Sequence, residues 1–165
     1  MTSYTWTGNG GGDSWNNDDN WSTPEDDPAL SIPGGGDLVY FSSPATITDS
    51  GSADDVTLTS TLELDGGTIT VTTNTASTFY VDYGGMLSVV SSGSIDAQAM
   101  YAEGSADFDD GTLTISNFLA VEGGEVTIEN GASLTASTTN PNDSGVLVGY
   151  AAEGVLRPRS AGCGL

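Results

Sequence analysis

The sequence predicts an all-β chain: a right-handed parallel β-solenoid with an N-terminal cap. Three observations carry that expectation. A short phrase recurs at a nearly fixed interval, apolar and polar residues alternate within each repeat, and no window of helical length carries apolar residues at a 3.6-residue period. The phrase reads Tyr80-Val-Asp-Tyr-Gly-Gly, Met100-Tyr-Ala-Glu-Gly, Leu119-Ala-Val-Glu-Gly-Gly and Val148-Gly-Tyr-Ala-Ala-Glu-Gly. Its glycines at 85, 104, 124 and 154 set steps of 19, 20 and 30 residues. The longest step holds Thr138-Thr-Asn-Pro-Asn-Asp-Ser-Gly, the composition of an inserted loop. Short strands with regular turns would also suit a β-sandwich. Direct internal repetition favours the solenoid, because sandwich strands have no reason to resemble one another in sequence order.

Residues 1-41 read as a cap followed by a first strand. All three tryptophans fall here, in Tyr4-Thr-Trp6-Thr-Gly8, Trp15 and Asn20-Trp21. A solenoid leaves the apolar surface and strand edges of its first coil open, and a bulky terminal segment covers them. The competing reading makes Trp6, Trp15 and Trp21 a carbohydrate-binding platform of flat apolar faces rimmed by amides and carboxylates. Residues 42-156 read as coils of about 20 residues. The first coils include Pro44-Ala-Thr-Ile-Thr-Asp and Asp54-Asp-Val-Thr-Leu-Thr-Ser-Thr-Leu-Glu-Leu-Asp-Gly-Gly, with Val56, Leu58, Leu62 and Leu64 facing inward. Further on, Gly85-Met-Leu-Ser-Val matches Gly124-Glu-Val-Thr-Ile, and Gly67-Thr-Ile-Thr-Val resembles Gly111-Thr-Leu-Thr-Ile. Period two directs Leu87, Val89, Ile95, Leu113, Ile115, Leu119, Val126, Ile128 and Leu134 inward. About five coils at the spacing of paired strands give a rod of roughly 24 Å. The tail 157-165 breaks both repeat and composition and is expected to be non-native or disordered, the chain being a piece of a longer protein.

The opening resembles that of large bacterial surface proteins with autotransporter-type β-solenoid repeats. In those proteins a Trp-Thr-Gly-Gly run leads to Trp, then Asn-Trp, then Pro-x-x-Gly-Asp and a strand. The matching residues are Trp6-Thr7-Gly8, Trp15, Asn20-Trp21, and Pro33 with Gly36-Asp37 ahead of Leu38 to Phe41. The phrase Val146-Leu-Val-Gly-Tyr-Ala-Ala-Glu-Gly-Val-Leu looks like their repeat units. The resemblance covers most of residues 4 to 156 and implies a secreted or surface-attached rod used for adhesion, spacing or display. It implies possible glycan or cell-surface partners and carries over no catalytic residue. The Glu25-Asp-Asp-Pro-Ala-Leu insertion departs from the pattern, as does the missing C-terminal remainder, where any translocating or anchoring module is expected.

Composition narrows the chemistry. The chain has 23 acidic residues against two basic ones and no His, a formal charge of −21. Both cations, Arg157 and Arg159, and the only cysteine, Cys163, fall in the tail. Such a surface repels nucleic acid and anionic membranes. It suits solubility at high salt, where screening removes self-repulsion. No apolar run reaches the roughly 20 residues of a membrane helix.

Without His, a Ser-His-Asp apparatus is excluded and Cys163 has no base. A lyase that needs a basic residue is equally disfavoured. The enzyme class left open is a glycoside hydrolase with two carboxylates across a cleft. Asp107, Asp109 and Asp110 are the densest acidic group and the candidate calcium ligands, although Asp109-Asp110-Gly111 is also a turn signal. No cofactor is implied. Ice binding is a further alternative through Thr57/Thr59, Thr68/Thr70 and Thr112/Thr114, with the rank expected to break near Ser88 and Val90 and near Ser94 and Asp96. An open final coil makes end-to-end self-association plausible.

Overall fold

A computed structural model describes residues 1–26, 28–137, 146–148 and 154–158. The cap contributes β1 (Ser3–Trp6), a single 3-10 turn at Asp18–Asn20, and β2 (Trp21–Ser22). The coils then follow as triplets of strands. The first is β3 (Leu38–Phe41), β4 (Ala45–Ile47) and β5 (Ser50–Ser52); the second is β6 (Asp55–Leu58), β7 (Thr61–Asp65) and β8 (Thr68–Val71). Next come β9 (Thr78–Val81), β10 (Met86–Val90), β11 (Ser94–Ala102), β12 (Ser105–Asp109), β13 (Thr112–Val121), β14 (Glu125–Glu129) and β15 (Ser133–Ala136). Two short strands, β16 (Val146–Val148) and β17 (Val155–Pro158), close the described chain.

Among the described residues every coil-to-coil pairing is parallel, and the one antiparallel pair, β1 with β2, belongs to the cap. The chain is therefore a β-solenoid of about five turns, not a sandwich. Three strands per coil build three sides. One side is the ladder β4-β7-β10-β12-β14-β17. A second stacks β5, β8, the start of β11, the start of β13, and β15. The third stacks β3, β6, β9, the ends of β11 and β13, and β16. β11 and β13 pass from the second side to the third without a break, and the register shifts between Ala97 and Ala99, where the chain rounds the corner.

The interior is a column of inward side chains. Val56, Leu58, Leu62, Leu64, Leu87, Val89, Ile95, Leu113, Ile115, Leu119 and Val126 are buried as period two predicts. Ile128 and Leu134 are partly buried against the same core.

The recurring glycines have two physical causes. Gly84 and Gly123 hold positive φ (85° and 83°), the turn requirement the sequence suggests. Their partners Gly85 and Gly124, with Gly104, instead stack on one another, so a Cβ on any of them would overlap a backbone carbonyl of the preceding coil. The same carbonyls accept the next coil's N–H groups: Gly85 from Ser105 at 3.0 Å, and Gly104 from Glu125 at 3.1 Å. The phrase is periodic because coils must approach this closely at every corner.

The tail boundary needs correcting. Arg157 and Pro158, expected in a disordered tail, continue β17 along β14, and Arg157 Nε lies 2.5 Å from Glu125 Oε1. The inserted loop at 138–145 and residues 159–165 lie outside the described residues.

Candidate binding faces

The tryptophans form a plug. Trp6, Trp15 and Trp21 are buried, with Trp21 at the centre: its ring centroid is 5.0 Å from that of Trp6, 4.9 Å from Trp15 and 5.7 Å from Phe41. Two of the indole N–H groups are satisfied inside, Trp15 Nε1 donating to Pro33 O (3.2 Å) and Trp21 Nε1 to Trp15 O (2.8 Å). Gly51 in β5 makes room for the Trp15 ring, which a Cβ at that position would overlap. Asp49 fastens the cap by accepting from Ser14 Oγ (2.6 Å), Trp15 N (2.7 Å) and Asn16 Nδ2 (2.7 Å). Burial pushes the Asp49 carboxyl up, but these hydrogen bonds outweigh it and hold the group below its ordinary range. The three rings offer no solvent-facing platform, so the carbohydrate reading of Trp6, Trp15 and Trp21 loses its surface.

The acidic trio is not a constellation either. Asp107 and Asp109 point outward from β12, facing Thr127 and Glu129 of the next coil, while Asp110 sits in the turn at φ 60° and accepts from Ser92 Oγ at 3.3 Å. Among the described residues, no three acidic or sulfhydryl side chains gather where a metal ion could be held. The calcium reading of Asp107, Asp109 and Asp110 therefore has no geometry to support it.

The second side carries two ranks of hydroxyls. Ser50, Thr68, Ser94, Thr112 and Ser133 form one, and Ser52, Thr70, Asp96, Thr114 and Thr135 the other. Neighbours within a rank bond to one another, Thr68 Oγ1 with Ser94 Oγ at 2.9 Å and Ser133 Oγ with Thr112 Oγ1 at 3.3 Å. This corrects the expected break. Ser88 and Val90 belong to β10 on a different side, so Asp96 alone interrupts the Ser/Thr ranks. Thr57 and Thr59 are not part of this plane, Thr57 lying on the third side and Thr59 past the end of β6.

The third side carries aromatics that sequence reading passed over. Its outward column runs Thr5, Tyr40, Thr57, Tyr80, Tyr101 and Ala120, one residue per coil. Phe118 adds a ring beside it. Tyr80 and Tyr101 lie 6.0 Å apart with planes 48° to one another, and Tyr101 meets Phe118 edge-on at 5.0 Å. Tyr40 is 39% exposed, and Tyr83 on the adjoining turn is 86% exposed. Carboxylates border the ladder. Burial, a hydrogen bond to Glu103, and the charges of Glu103, Asp82 and Glu122 push the Tyr80 hydroxyl up to about 12. Burial and Glu122 raise Tyr101 as well. The recurring phrase holds the signal: Tyr80 and Tyr101 occupy the same place in it, directly after the buried Phe79 and Met100, which makes them outward.

Between Tyr40 and Tyr80 the column drops to Thr57, leaving an open groove of about 320 Å³ bordered by Leu38, Asp55 and Thr78. Asp55 Oδ1 accepts from Thr78 N at 2.8 Å. Burial and the neighbouring Asp54 charge, set against that hydrogen bond, raise the Asp55 carboxyl above its ordinary value. Asp54 points the other way and is buried, where it accepts from Ser77 Oγ (2.6 Å), Thr73 Oγ1 (3.0 Å) and Asn74 Nδ2. It pins the 72–77 loop that borders the groove.

Compared with known proteins, the chain matches no family model, no curated protein and no solved structure at a significant level.

Proposed function

We propose that this chain is a non-catalytic, adhesive rod segment of a larger secreted or cell-surface β-solenoid protein, and that the aromatic ladder of its third side is the surface through which it binds. The observation that carries the reading is the contrast between an interior packed with aliphatic and aromatic side chains and an outer column that keeps Tyr40, Tyr80 and Tyr101 toward solvent at coil-matched positions. Outward positions of a solenoid are free to be polar, and a run of half-exposed rings there suits recognition. On the first side the acidic residues of β12 and β14 follow one another along a ladder, while Glu63 and Asp13 share the lining of an open pocket beside the cap, so the cleavage assay is the arm that separates binding from hydrolysis.

The test is retention and turnover together. The chain is applied to arrays of polysaccharides and peptides, and the same polymers are assayed for cleavage products. Retention lost in a Tyr101→Ser variant, with no cleavage, supports the reading. Release of reducing sugars overturns it.

The hydroxyl plane favours one second reading, ice binding, because two near-complete Ser/Thr ranks at strand spacing form a regular water-facing lattice. Ice crystals that grow unshaped in the presence of the protein would dismiss it.

A further inference from the structure

We propose that the groove between Tyr40 and Tyr80 is a cation site that takes an arginine or lysine side chain of a basic peptide segment. The proposal rests on the ladder being a binding surface and names what it binds.

The geometry comes first. Tyr40 and Tyr80 stand two rungs apart, roughly 10 Å at strand spacing, with the small Thr57 side chain between them as floor. That opening admits one extended side chain between two aromatic walls. Asp55 lies on its border, and its only protein donor among the described residues is the Thr78 N–H. A guanidinium or ammonium group there would meet a carboxylate on one border and the aromatic rings of Tyr40 and Tyr80 on either side, the two kinds of group that bind such cations. Asp55 is also crowded by the fixed charge of Asp54, and an incoming cation relieves that repulsion.

Charge decides between ligand classes. The chain carries −21 and has no lysine, so its field draws cations in and turns anions away. Asp82, Glu103 and Glu122 continue the acidic border along the ladder and offer further basic side chains a partner. A neutral glycan would want coplanar rings to lie on, and the rings here are tilted by 48° and 85°. A basic segment lying along the column would place successive cations beside successive coils.

The experiment is a titration of the whole chain with hexa-arginine at about 0.15 M salt, followed by amide NMR. Shifts should centre on Leu38, Thr57 and Thr78. Replacing the rings, Tyr40→Ser with Tyr80→Leu, leaves the charge unchanged and should weaken binding about tenfold, the size of one or two cation–π contacts. Should that variant lose its β-sheet circular dichroism, Thr57→Trp fills the groove without deleting anything and must block binding equally. Shifts spread over Glu63, Asp107 and Glu129 of the first side, or affinity indifferent to both variants, would reduce the effect to a general acidic field and overturn the site. Dimerisation abolished by Thr57→Trp would make a second copy the occupant, which also overturns it. If a cello-oligosaccharide moves the ladder amides and hexa-arginine does not, the cation falls while the adhesive reading stands. If neither moves them, both fall.

Discussion

The cap and the ladder are built from the same ingredients, aromatic rings beside carboxylates, and use them oppositely. In the cap the rings face inward, the N–H groups of Trp15 and Trp21 are bonded, and Asp49 collects donors that hold its carboxyl below the usual range. On the ladder the rings face outward, and the neighbouring groups are pushed the other way: Asp55, Tyr80 and Tyr101 are all raised. A satisfied carboxylate is a structural fastening. One crowded by burial and like charge gains from a positive counter-charge, and on a solvent-facing groove that charge can come from another molecule.

The sharpest way to break this comparison is to truncate a ring on each side. Trp21→Ala removes a fully buried ring at the centre of the plug and should cost about 3–5 kcal/mol, whereas Tyr101→Ser, half-exposed and edge-on to Phe118, should cost about 0.5–1.5 kcal/mol. Urea unfolding of both variants measures the gap. Equal losses would mean that the ladder is a second structural core and not a binding surface.

A smaller effect tests how the plug is seated. Gly51→Ala adds a methyl where the Trp15 ring lies, an overpacking expected to cost about 1–3 kcal/mol. Tryptophan emission should shift to the red as the plug loosens. Unchanged emission and stability would show that Trp15 does not rest on β5.

Much of this was legible in the sequence, and the reasons are physical. Period-two alternation fixes which side of each strand is buried, so Leu62, Leu87, Ile95 and Leu113 could be assigned inward without coordinates. The parallel stacking followed from repetition. What was not legible is how the sides line up. Ser88 and Ser94 are close in sequence and sit in similar local patterns, yet a corner at Gly93 separates them, so the hydroxyl ranks looked more broken than they are. The outward tyrosines are hard to see in the sequence for a related reason. Tryptophan draws attention by its size, but size also makes it the natural plug for an open coil, while the tyrosines were hidden inside the phrase that had served only to establish the period. Residue-by-residue alignment of that phrase would have put Tyr80 over Tyr101 on one outer face. Arg157 was misread because composition alone cannot tell a tail from a last strand.

Acid should act in opposite directions on the two regions. For Asp49 the folded value lies below the ordinary one of 3.8, so its contribution is present above that pH and is lost as pH falls through the folded value. For Asp55 the folded value lies above 3.8, so the folded chain takes up the proton first and gains stability as pH falls through that raised value. Cap fluorescence in mild urea should therefore report loosening below about pH 4, and Asp49→Asn should flatten that limb. In Asp55→Asn that limb should be unchanged, and the gain on acidification in the window just above 3.8 should disappear instead. Identical limbs in both variants would erase the distinction between fastened and crowded acids.

The smallest effect concerns the tyrosine hydroxyls. Tyr80 is pushed up to about 12 by burial, its bond to Glu103 and the surrounding carboxylates, so it should stay protonated well above the ordinary 10.0. The unfolded chain releases that proton near the ordinary 10.0 and the folded chain does not, so stability falls as pH rises between those two values. Ultraviolet difference spectroscopy should resolve a late-titrating fraction that disappears in Tyr80→Phe and moves toward 10 in Glu103→Gln. The second variant matters more than the first. Its shift would establish that the ladder's carboxylates act on the ring system as one negative border, the property that a cationic partner would find there and that the Trp plug, closed around its own hydrogen bonds, does not offer.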